Sequence, residues 1–122
     1  MDEEFELIED KEAYRLAKQL SGLIKDSNEY RFYRQCLEEL KKEPELYAQV
    51  NEFRRMSFEL QNCTSNRMSY EQYTEASSKV TNLRKNPLAS RFLNSEIAIG
   101  RLVQNIYRQI IEGIDFDIDF LN

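Results

Sequence analysis

An all-α fold of about five helices is predicted by three features of this 122-residue sequence. Only three Gly and two Pro are present, too little turn material for a many-stranded β architecture. Apolar residues recur at spacings of three and four over most of the length, which is the repeat of one helix face. Prolines and small polar capping residues punctuate that repeat where helices should begin. A composition of 41% hydrophobic and 32% charged residues suits helices that bury one stripe and solvate the other face.

The first helix is expected from about Lys11, with Ala13, Leu16, Ala17, Leu20, Leu23 and Ile24 on one face; the ten residues before it form a frayed, mobile arm or a short first turn. Ser27 is placed to cap a second helix, with Asp26 and Glu29 putting negative charge near its positive end. Tyr30, Tyr33, Leu37 and Leu40 form its stripe, and Glu38 with Lys42 are spaced for an ion pair one turn apart. Pro44 reads as the start of a third helix, because a missing N–H is tolerated in a first turn. Leu46, Val50, Phe53 and Leu60 supply its apolar face, with Met56 beside it.

A polar stretch from Asn62 to Asn66 ends that pattern, and Ser69 with Gln72 has the spacing of a capping box. A fourth helix carrying Tyr73, Ala76, Val80 and Leu83 should follow. Asn86-Pro87 then opens the longest stripe: Leu88, Phe92, Ile99, Leu102, Val103, Ile106 and Ile110. Gly100 within it implies either a close helix crossing or simple tolerance, and Gly113 is expected to end the helix in a left-handed conformation. The result is a three-helix piece followed by a long helical hairpin, in one domain spanning residues 1–122. Helices this thin in apolar content complete their core by pairing, so a homodimer or higher homo-oligomer is expected, with those seven stripe residues of the last helix as its self-association surface.

Chemistry is excluded more firmly than it is suggested. The chain has no histidine, which removes serine–histidine and cysteine–histidine nucleophiles and the commonest zinc ligand. Its three glycines stand apart, so no phosphate-cradling loop exists. Cys36 and Cys63 form no close motif and read as free thiols; an iron–sulfur cluster would need cysteines from several chains. No metal or cofactor site and no enzyme activity are expected. The net charge of −5, with basic residues scattered, lacks the footprint of a phosphate binder. An RNA-binding alternative rests on Arg31, Arg34, Arg54 and Arg55 gathering into one patch. No apolar run is long enough to span a membrane and the acidic start is unlike a signal peptide, so a cytoplasmic location is expected.

The segment Ile114-Asp115-Phe116-Asp117-Ile118-Asp119-Phe120-Leu121 alternates apolar and acidic residues. In an extended conformation it would be a ribbon with one apolar edge, Ile114, Phe116, Ile118 and Phe120, with Leu121 at its end. Those five residues either pack into the protein's own fold or dimer mate, or dock on another protein. The three aspartates imitate the opening of a calcium loop, but Phe120 stands where glycine is required and no later bidentate glutamate follows.

Taken in order, Ala13-Tyr14-Arg15-Leu16-Ala17 through Ile24, then Ser27, Glu29, Tyr30 and Tyr33, Pro44-Glu45-Leu46 leading to Val50-Asn51-Glu52-Phe53, and Asn86-Pro87-Leu88 leading to Phe92 and Glu96 resemble the YlbF/YmcA/YheA group of small helical regulators. The resemblance spans nearly the whole chain. It implies an all-α fold that self-associates and has no catalysis of its own. It also implies a regulatory adaptor working with sister proteins in complexes that influence competence, sporulation and biofilm formation, partly through ribonuclease Y and messenger-RNA processing. Some such complexes hold iron–sulfur clusters through cysteines near chain ends; here the acidic C-terminal segment has none, so no ligand residue is carried over.

Overall fold

The computed structural model describes residues 11–62, 70–117 and 119–121, and the side chains of all of these except 60–62 and 121. Five helices follow one another: α1 (Lys11–Lys25), α2 (Asn28–Lys41), α3 (Pro44–Asn62), α4 (Tyr70–Arg84) and α5 (Pro87–Ile114), with a final 3-10 turn at Asp119–Leu121. No strand occurs among the described residues. The arm of residues 1–10, Cys63, the Ser69 half of the capping box and Ile118 fall outside the described residues, as do the side chains of Leu60 and Leu121.

The helix starts are set by local chemistry. Ser27 Oγ accepts the Tyr30 N–H at 3.1 Å and donates to the Ile24 carbonyl at 2.6 Å, so one hydroxyl closes α1 and opens α2. Asn86 Oδ1 accepts from the Leu88 and Ala89 amides, and Pro87 occupies the first turn of α5, where no partner for an N–H is needed. Pro44 opens α3 in the same manner.

α5 packs most extensively on α2. The core holds Cys36, Leu37 and Leu40 from α2, Val50 from α3, Leu83 from α4, and Ala89, Phe92 and Leu93 from α5. Tyr33, Leu46, Tyr47 and Phe53 close around it, with the Tyr33 and Phe92 rings 5.6 Å apart. Ser95 is fully buried but satisfied, because its hydroxyl donates to the Phe92 carbonyl at 2.6 Å. The three-helix piece and the hairpin are thus joined through one shared core.

Three local expectations are corrected and one open choice is decided. Gly113 does not end α5: the helix continues to Ile114, and Asp115 takes the left-handed conformation (φ 63°, ψ 53°) with its N–H donating to the Ile111 carbonyl. Aspartate tolerates that region better than most residues because its short polar side chain bonds locally. Of the two readings of Gly100, simple tolerance stands: among the described residues a Cβ there would meet nothing within 4 Å. Glu38 turns back to Arg34 at 3.6 Å and not forward to Lys42, which is the C-cap residue of α2. The tail is not an extended ribbon: Ile114 belongs to α5, and the Asp119 N–H donates to Asp117 Oδ1 at 3.0 Å as the chain enters its 3-10 turn. Aspartates spaced by two favour such local turns over an extended run.

Candidate interaction surface

Several candidate chemical sites dissolve once the side chains are placed. Cys36 is 2% exposed and free; burial pushes its thiol pKa up, while Arg91 and a hydrogen bond with Ser95 pull it the other way. A buried thiol that resists ionisation is a poor nucleophile and metal ligand. Among the described residues no group of three or more potential ligands converges. Glu75, one turn from Glu71, pairs with Lys79 at 3.6 Å.

The four arginines do not form a patch of unmatched cations. Arg31 and Arg34 lie on α2, Arg54 and Arg55 on α3. Arg34 meets Glu38, and Arg55 meets Glu59 at 3.3 Å. Arg54 serves the fold: its guanidinium reaches Glu96 at 2.7 Å and Asn51 at 3.0 Å, and lies 5.0 Å from the centre of the Phe92 ring. Arg91 plays a parallel part, bonding Glu39 at 3.0 Å and lying over Phe32. These pairs clamp α5 to α2 and α3 at the rim of the core.

A cleft of about 450 Å³ opens between α3 and α4, lined by Leu46, Phe53, Met56, Lys79, Asn82 and Leu83 among others. It adjoins a shallower apolar hollow floored by Tyr73, Ala76 and Val80. The sequence reading missed this cleft, because the stripes of α3 and α4 show which faces turn inward but not how far apart the helices stand.

The dominant feature is apolar surface that the chain leaves uncovered. Much of it lies on α1 and the distal half of α5. No residue of α1 is buried: Leu16 and Leu23 are 51% and 63% exposed, and only Leu20 and Ile24 of its stripe are half-covered. On α5, Phe92 is completely buried in the protomer's own core and Leu88 is half-buried. Phe92 therefore leaves the expected self-association set; it has no surface left to offer. Ile99, Leu102 and Ile106 are half-buried, and Val103, Tyr107, Ile110 and Ile114 lie open.

In the tail, Phe116 and Phe120 are 57% and 81% exposed, so neither has found a groove in its own chain. The residues α1 contributes to this surface were visible as a helix stripe; nothing in the sequence marked that stripe as uncovered. No helix of the described residues is long and apolar enough to cross a membrane.

Three curated relatives are similar along most of their length. A UPF0342 protein of Caldicellulosiruptor bescii is 26% identical over 110 residues, covering 84% of this chain and 88% of that one. One from Caldicellulosiruptor saccharolyticus is 27% identical, covering 84% and 87%. A third, from Desulfitobacterium hafniense, is 29% identical and covers 83% of each. No solved structure matches the chain. Residues 13–115, from the first turns of α1 to the left-handed residue that ends α5, match the regulatory family described as "Control of competence regulator ComK, YlbF/YmcA", and the chain belongs to that family.

Proposed function

We propose that the protein is a non-enzymatic regulatory adaptor that self-associates through the distal half of α5 and acts in the cytoplasm through protein–protein contacts. The observation that carries this reading is the run of open apolar residues Val103, Tyr107, Ile110 and Ile114, continued by Phe116 and Phe120. Exposed apolar ridges of this length are characteristic of surfaces that bind other proteins. The chain acts as one unit of residues 1–122. Its partners are sister YlbF-like proteins in a complex that influences messenger-RNA processing, competence, sporulation or biofilm formation. The family's regulatory description supports the direction of that reading.

The test is affinity isolation from the native cytosol, comparing the full chain with one ending at Gly113. Recovery of a sister family member by the full chain is expected, with loss of that partner from the shortened one if Phe116 and Phe120 dock it. Recovery of no family member by either chain would contradict the adaptor role.

A further inference from the structure

We infer that α1 of one copy lies antiparallel along the distal half of α5 of a second copy, and that the exchange is reciprocal about a two-fold axis. This rests on the self-association proposed above and specifies which faces meet.

α1 leaves the distal half of α5 uncovered within its own chain. Asp26 N–H bonds back to the Gly22 and Leu23 carbonyls, Ser27 N–H to Ile24, and the Ser27 hydroxyl ties both helices, so a two-residue junction fixes the direction of α1. The helix that α1 does meet is α2. Two uncovered stripes remain, Lys11–Lys25 and the run of α5 from Ile99 to Ile114, each about 22–24 Å long at 1.5 Å per residue.

Their registers fit. Read forward along α1 and backward along α5, Leu16 falls opposite Ile110, Leu20 opposite Ile106, Leu23 opposite Val103 and Ile24 opposite Leu102. Each of these four pairs joins two branched aliphatic side chains, and in the same register the small Ala13 and Ala17 fall opposite Gly113 and Gln109. Charge favours the same arrangement. At 3.6 residues per turn, Lys11, Arg15 and Lys18 fall on the side of α1 away from its stripe, and Arg101, Arg108 and Glu112 on the far side of α5. Two copies of a chain with net charge −5 therefore meet across uncharged strips. The antiparallel sense also places the positive N-terminal end of the α1 backbone beside the C-terminal end of α5 and the aspartates that follow it, Asp115 and Asp117.

The area is what a stable dimer needs. Covering both stripes removes on the order of 800 Å² from each copy, the size of a standard specific interface. A reciprocal contact buries both stripes in both chains and closes the assembly at two. Contact between the two α5 helices alone would leave α1 bare.

The experiment uses full-length chains carrying Leu16→Cys or Ile110→Cys, both at exposed positions outside the core, with helicity checked by circular dichroism. Oxidation of an equimolar mixture of the two chains is expected to yield roughly tenfold more disulfide-linked dimer than either chain alone, since a bridge needs Cα atoms within about 7 Å. The wild-type chain measures any background from Cys36 and Cys63. Equal cross-linking in one variant alone would overturn the inference in favour of like-on-like contact. A disulfide inside single chains of the doubly substituted protein would overturn it in favour of a folded-back α1. No cross-link from a wild-type dimer would overturn the pairing while leaving self-association standing; a wild-type monomer would remove both.

Discussion

The two halves of α5 carry similar apolar repeats and have opposite fates. Ala89, Phe92, Leu93 and Ser95 in the first half are buried, whereas Val103, Ile110 and Ile114 in the second are each about half exposed. Length explains the difference. α2, the main partner, has 14 residues and α5 has 28, so about 21 Å of helix is laid against about 42 Å. Periodicity tells which side of a helix is apolar; the length of its neighbour decides how much of that side is covered.

The same truncation in the two halves should therefore have very different effects. Phe92→Ala removes a ring with no exposed surface and should lower unfolding stability by about 3–5 kcal/mol in denaturant titration. Ile106→Ala, measured at concentrations low enough to separate the copies, should cost well under half of that; equal losses would mean that the distal half is packed within its own chain. Arg54→Met should cost about 1 kcal/mol, because the Glu96 pair it breaks is about a third exposed and partly screened by solvent. A loss of less than a few tenths would show that the clamp between α3 and α5 is incidental.

The smallest effect should be seen with pH. Burial raises the Cys36 thiol pKa in the folded state, so its contribution is complete below the ordinary thiol value of about 8.5 and is lost as pH rises through the folded one. The wild-type advantage over Cys36→Ala in urea midpoint should shrink between neutral and alkaline pH. A constant difference would mean that the thiol ionises as freely in the fold as out of it.

Much of the fold was legible because helix grammar is local. Ser27, Pro44 and Asn86-Pro87 each mark a start that depends only on nearby residues, and all three begin helices where expected. Gly113 misled because two residues compete for the same end, and Asp115 can take the left-handed conformation while the helix runs two residues further. The Arg54–Glu96 and Arg91–Glu39 pairs join residues 42 and 52 positions apart, which no periodic pattern can announce. The candidate surface was half legible: the stripe of α5 was identified, but its division into core and open ridge depends on where α2 stops. For α1 the apolar face was evident, and its lack of a cover was a property of the three-dimensional arrangement alone.

Self-association of the open ridge is tested most directly by light scattering of the purified wild-type chain at micromolar concentration and moderate salt. The account predicts a particle of twice 14.6 kDa or a higher multiple, falling toward one chain when Ile106 and Ile110 are both replaced by Glu while helicity is kept. A wild-type particle of 14.6 kDa would contradict it.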